Sequence, residues 1–122
     1  MRGKKIVLDL EFIPYRRKQE PYCVHEIIEI GAVALDADNE IYDEFQMYVK
    51  PQYGTVPTFV TAITGITNEM LVGQVSFSEA MQAFEAWLPQ EDSYRFYTWS
   101  GSDQHVFQAE AEWKERPLLG NF

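Results

Sequence analysis

The stretch Ile6-Val7-Leu8-Asp9-Leu10-Glu11-Phe12, residues 6–12, decides the fold prediction because two acids interrupt an otherwise apolar run. Side chains alternate between the two faces of a β-strand, so Asp9 and Glu11 share one face and the opposite face is wholly apolar. Carboxylates that converge on a part-buried face repel each other, and they usually persist because a cation, a proton or a basic side chain compensates them. The stretch predicts a core strand with a metal site. The alternative is an edge strand whose acids are simply solvated.

The segments downstream of this strand predict an α/β domain. Strands are expected at residues 6–12, 26–35, 40–49 and 94–99, with a turn-rich cluster at 36–39 closing a hairpin. Helical segments are expected at residues 57–65, 76–88 and 103–113, and a polar loop at 13–22. The helix at 76–88 is the best marked, because Ser76-Phe77-Ser78-Glu79 fits a capping box. The predicted order is three antiparallel strands, a helix, a strand and a helix.

Composition limits the class of protein and its partners. The chain has 122 residues, a 46% apolar fraction and no apolar run of membrane-spanning length, which indicates one globular domain and no membrane partner. A lone Cys23 can form no internal disulfide, so a cytoplasmic protein is expected. The net charge of −9 argues against broad attraction to nucleic-acid backbones. The basic run at residues 16–18 is either a solvated loop or a rim that guides phosphates towards Asp9.

Asp103 is a third candidate acid, at the predicted junction between the last strand and the last helix. Ligand sites of α/β proteins lie at the carboxyl ends of strands, which favours a functional role. However, Ser100-Gly101-Ser102-Asp103 also fits a capping box, and the helix dipole favours an acid in the first turn. The residues alone leave both roles open.

Five segments, in this order, carry a resemblance to a known family: IVLDLEF (6–12), EIIEIGAV (26–33), YVKP (48–51), AITGIT (62–67) and WSGSD (99–103). Together they resemble the DEDDh group of 3′-to-5′ exonucleases. The resemblance implies a ribonuclease H-like α/β fold, a mixed sheet of three antiparallel strands and then a parallel strand, with flanking helices. It also implies hydrolysis of phosphodiester bonds at the 3′ ends of single-stranded RNA or DNA.

The same resemblance implies roles for six residues. Asp9 would bridge two Mg²⁺ or Mn²⁺ ions, Glu11 would hold the ion that activates water, and Asp103 would support the second ion through water. Phe12, Thr64 and Ile66 match positions that shape the pocket around the terminal nucleotide. Ordinary packing is the alternative for Phe12 and Ile66, since apolar residues there would be buried in any case.

The chain departs from the family pattern after Asp103. The family completes its site with a His followed five positions later by an Asp, on a later helix. His105 and Glu110 have this spacing, with Glu in place of Asp. They lie on the helix that Asp103 begins, so they are not expected to act as the His and Asp of the family's later helix.

Residues 1–122 are therefore expected to be a single exonuclease-like domain that is incomplete at its C-terminus, with the last strand and helix missing and little or no activity alone. The uncovered sheet edge is expected to promote self-association or pairing with a complementing chain. A non-catalytic module that binds nucleic acid or protein is the alternative function.

Overall fold

The computed structural model describes residues 4–16, 23–90, 94–98 and 101–114. The strands are β1 (Lys4–Arg16), β2 (Cys23–Leu35), β3 (Ile41–Tyr48) and β4 (Tyr94–Thr98). The helices are α1 (Thr58–Thr64), α2 (Asn68–Leu71), α3 (Phe77–Trp87) and α4 (Gly101–Trp113). The sheet order is β3-β2-β1-β4, with β2 antiparallel to β1 and β3, and β4 parallel to β1. The predicted mixed sheet with flanking helices is confirmed.

The first strand is longer than predicted. Residues 13–16 were expected to begin a loop, but they continue β1 and pair with residues 23–26 at the start of β2. Pro14 lacks an N–H group and favours a loop in isolation, yet it lies in the ladder opposite His25. The pairing partner overrides the local signal. The rest of the expected loop, residues 17–22, lies outside the described residues, as do Trp99 and residues 115–122.

Local sequence signals mark the ends of α1, α2 and α3. The predicted capping box of α3 is present, because Glu79 N donates to Ser76 Oγ at 3.2 Å and Ser76 N donates to Glu79 Oε1 at 3.1 Å. Gly65 ends α1 with a φ of 78°, a left-handed conformation that favours glycine. The four-residue helix α2 was not predicted, although Thr67 caps it by accepting a hydrogen bond from Met70 N.

Two separate apolar clusters cover the sheet. The larger one packs the apolar face of β1 (Ile6, Leu8, Leu10) against α3 and α4 (Met81, Phe84, Phe107). The smaller one packs the opposite face near the end of β1 against α1, α2 and their neighbours (Ile13, Ile28, Val56, Val60, Ile66, Leu71). Within the described part of the chain, this smaller cluster covers the second face from Ile13 onwards. No helix among the described residues is long and apolar enough to span a membrane.

Candidate active site

Asp9 and Glu11 lie on β1 next to the point where the smaller apolar cluster begins to cover their face of the sheet. Along this face Asp9 is exposed, Glu11 is half-buried and Ile13 is fully buried beneath the smaller cluster. The alternation predicted from the sequence is confirmed, since Ile6, Leu8 and Leu10 on the other face are buried. The two acids therefore stand at the edge of an apolar layer and remain open towards solvent.

The parallel strand β4 brings Asp103 to the same place. The ladder between β1 and β4 ends with the pair Leu8 and Thr98, one residue before Asp9. Helix α4 begins at Gly101, directly after this point, and Asp103 lies in its first turn with 5% of its surface exposed. Chain topology, rather than sequence proximity, places this third acid near the pair on β1.

The pKa of Glu11 depends on the other acids nearby. Burial raises the pKa of the Glu11 carboxyl above its usual value, and the charges of Asp9, Glu29 and Asp103 raise it further. Within the part of the chain that the structure describes, these three carboxylates act on Glu11 in the same direction as burial. We call Asp9, Glu11, Glu29 and Asp103 the acid cluster.

Glu29 is the member of the acid cluster to which the sequence assigned no role. It lies directly opposite Glu11 in the antiparallel ladder, and its Oε2 accepts a hydrogen bond of 2.8 Å from Gln46 Nε2 on β3. The signal that could have identified it is the strand register, which depends on a shift between Glu11 and Phe12. Such a shift is not visible in an alternation pattern.

The acid cluster suits a hard divalent cation by its chemistry. Among residues 4–16, 23–90, 94–98 and 101–114, no group of three or more His, Cys, Asp or Glu side chains is already arranged as a set of metal ligands. Carboxylate oxygens are nevertheless the ligands that Mg²⁺ prefers, and excess negative charge is what a bound cation offsets. The position of half-buried Glu11 between exposed Asp9 on its own strand and Glu29 directly opposite in the ladder supports this fit.

The three residues predicted to shape a nucleotide pocket have different surroundings. Phe12 is half-buried and meets His25 edge-on, with ring centroids 5.2 Å apart. The Thr64 hydroxyl donates to Val60 O at 2.8 Å and accepts from Ile66 N at 3.0 Å. Ile66 is 2% exposed within the smaller apolar cluster, so the contacts it shows are packing contacts. A contact between these residues and a nucleotide stays a prediction.

His105 and Glu110 both lie on α4 together with Asp103, as the sequence predicted. Their side chains have different surroundings, because His105 is exposed and Glu110 is fully buried. Glu110 Oε2 lies 2.7 Å from Lys114 Nζ, in a charge network separate from the acid cluster.

Comparisons with known proteins identify the family of this chain and agree with its fold. A family model described as an exonuclease, named after RNase T, matches residues 6–112. DNA polymerase III subunit epsilon of Pasteurella multocida is 36% identical over 81 residues, covering 66% of this chain and 32% of that protein. Human 3′-5′ exoribonuclease 1 is 33% identical over 82 residues, covering 66% of this chain and 24% of that protein. The chain thus spans a third or less of these curated relatives.

Among solved structures, the nuclease domain of 3′hExo, a DEDDh family member bound to rAMP, superposes with a TM-score of 0.76 at 24% identity. The match covers 95% of this chain and 62% of that domain. At this level of identity the likeness concerns the fold.

Proposed function

The chain belongs to the exonuclease family named after RNase T, and from this premise we propose that it is a metal-dependent 3′-to-5′ exonuclease. The proposed reaction is hydrolysis of the terminal phosphodiester bond of a single-stranded nucleic acid. The observation that carries the proposal is the convergence of negative charge from Asp9, Glu29 and Asp103 on the carboxyl group of Glu11. A packed domain tolerates such repulsion when a cation binds there.

Each acid has a part in the proposed site. Asp9, the exposed member, and half-buried Glu11 would hold Mg²⁺ or Mn²⁺ ions from β1. Asp103 would help to hold the ions from the start of α4. The ions would supply an activated water and would offset charge on the attacking and leaving oxygens. Glu29 would keep the local field negative beside Glu11, which favours cations over anions.

The substrate class follows from the net charge together with the predicted pocket. A chain with net charge −9 gains little from general attraction to phosphates, so recognition would depend on the 3′ end itself. Phe12, Thr64 and Ile66 are the residues we propose for the terminal nucleotide. The relatives are named as a DNA polymerase subunit and as an exoribonuclease, so both RNA and DNA ends are proposed.

The basic run at 16–18 would guide phosphates. The lone Cys23 favours a cytoplasmic site of action.

The test is an end-labelled single-stranded oligonucleotide assay with Mn²⁺, using RNA and DNA in parallel. We expect stepwise shortening from the 3′ end, and we expect Asp9→Ala to slow it by about 100-fold or more, because a metal ligand is lost. Asp38→Ala is the matched control, since Asp38 is an exposed acid in the hairpin turn after β2. Unchanged shortening by Asp9→Ala would contradict the proposed site.

A second function is favoured by the exposed parts of the sheet. Asp9 lies in a shallow groove lined by Val7, Gly31, Glu44 and Gln46, and β4 borders only β1 among the described strands. We propose as the alternative a non-catalytic module that binds nucleic acid, or that pairs with a second copy or a complementing chain along β4. Saturable, metal-dependent oligonucleotide binding without shortening, or a defined dimer in light scattering, would favour the module over the enzyme.

A further inference from the structure

A buried group of charges joins three segments that flank the acid cluster. Glu26 on β2 and Glu110 on α4 are both 0% exposed. Lys114, which follows α4, lies between them, with Nζ 2.9 Å from Glu26 Oε2 and 2.7 Å from Glu110 Oε2. We call Glu26, Glu110 and Lys114 the lysine network. Burying three charged groups costs free energy even when they are paired, so stability alone does not explain this network. A structural role in positioning neighbouring elements is the alternative hypothesis.

The carboxylates of the lysine network also hold backbone groups. Glu26 accepts hydrogen bonds from Gln52 N at 2.8 Å and from Gly54 N at 2.6 Å. The approach at Gly54 is close, since a Cβ there would lie 3.2 Å from Glu26 Oε1. Glu110 Oε1 accepts from Ile27 N at 2.6 Å. The network therefore ties α4 both to β2 and to the connection that follows β3.

The attachment point on β2 lies beside the acid cluster. Ile27 pairs with Phe12, and the register shift between β1 and β2 falls between Glu11 and Phe12. Glu110 thus bonds to the backbone next to the irregularity that directly follows Glu11. Asp103 lies on the same helix as Glu110, about two turns earlier. One rigid element therefore connects this irregularity to the third acid.

We infer that the lysine network positions Asp103 relative to Asp9 and Glu11, and thereby sets the metal affinity of the acid cluster. Apolar contacts of α4 through Val106, Phe107 and Ala111 hold the helix against the sheet, but such contacts are not directional. Hydrogen bonds restrict both distance and angle. The lysine network therefore fixes the position of α4 along its own axis relative to β2. The statement about metal affinity rests on the proposed function, whereas the positioning of α4 does not.

The test uses the double variant Glu110→Met/Lys114→Met in the full chain. This change removes one negative charge, one positive charge and the acceptor of the Ile27 N hydrogen bond, and Glu26 keeps its backbone donors. The matched control is Lys50→Met/Glu112→Met, which removes the same charges from exposed positions. Hydrogen–deuterium exchange without metal and titration with Mn²⁺ are measured on both variants and on the unmodified chain.

We expect the double variant to keep its circular dichroism spectrum while the amides of residues 101–107 exchange about tenfold faster. We expect its Mn²⁺ affinity to fall by about tenfold, as for other losses of groups that orient metal ligands. The control should match the unmodified chain in both measurements. Should the double variant fail to fold, Glu110→Met alone, which leaves the contact between Lys114 and Glu26 in place, is measured in the same way with the same expectations in direction.

Two results would overturn the inference. One is unchanged exchange at residues 101–107 with faster exchange confined to residues 108–114 and 50–54, which would mean local packing only. The other is Mn²⁺ affinity equal to that of the unmodified chain despite faster exchange. If the unmodified chain binds no Mn²⁺ at all, the proposed function fails, while the exchange comparison still decides whether the network positions α4.

Discussion

The acid cluster and the lysine network are both groups of carboxylates on the same sheet and helix, but they differ in what compensates their charge. In the lysine network, an ammonium group and backbone N–H groups surround two fully buried carboxylates. In the acid cluster, three neighbouring carboxylates raise the pKa of Glu11 further above the value that burial gives it, and Asp9 is exposed. A carboxylate pair with built-in partners is a structural feature. A group of carboxylates that includes an exposed member and a member with a raised pKa is a candidate site for a cation.

The comparison predicts its largest effect at Lys114. Lys114→Met leaves Glu26 and Glu110 buried without their cation, so we expect the free energy of unfolding at pH 8 to fall by about 3–5 kcal/mol. Urea denaturation followed by circular dichroism measures this change. Lys50→Met, at an exposed position, should change the stability by less than about 0.5 kcal/mol. Equal stability of the two variants would mean that the lysine network is not a closed ionic unit.

The next effect concerns pH. Burial raises the pKa of Glu110 to about 7, and Lys114 and Ile27 N only partly oppose this rise. The folded state therefore holds a proton that the unfolded chain has released, so stability decreases as pH rises from about 4.5 to about 7. A shift of this size corresponds to about 3 kcal/mol.

Glu110→Gln should abolish this decrease, because glutamine has no proton to lose in that range. Melting temperatures recorded at pH 5 and pH 8 provide the measurement. Glu112→Gln on the exposed side of α4 is the control and should keep the full pH dependence of the unmodified chain. A flat profile in the unmodified chain would show that Glu110 is ionised throughout.

A smaller effect on stability is expected at Glu11. Because the pKa of Glu11 is raised by burial and by like charges, Glu11→Gln should stabilise the metal-free protein by about 0.5 kcal/mol, a value kept small by solvent screening. The same variant should lose the rise in melting temperature that Mn²⁺ gives the unmodified chain. Glu44→Gln, an exposed acid on β3, is the control and should keep that rise. If Glu11→Gln keeps it too, Glu11 is not a metal ligand.

Part of this contrast was visible in the sequence. The placement of Asp9 and Glu11 opposite a buried apolar face followed from strand alternation alone, and the capping box of α3 was evident from Ser76 and Glu79. The lysine network was not visible, because Glu26 and Lys114 are 88 positions apart. In the sequence, Glu110 had the spacing from His105 of the family's catalytic His and Asp, but with Glu in place of Asp. In the structure, Glu110 is buried and pairs with Lys114. Glu29 was missed because its role depends on the ladder register.

The alternation of β1 and the ends of α1 and α3 could be predicted because they depend on residues close together in the chain, and the family resemblance because its five segments occur in order along it. Which carboxylates meet, and which of them surround Lys114, depends on long-range packing. Pairing between β1 and β4 brings the start of α4 to Asp9, and packing of α4 on β2 encloses Lys114 between two acids. The pKa of a carboxyl depends on burial and on neighbouring charges within a few ångströms, and those neighbours are assembled by folding.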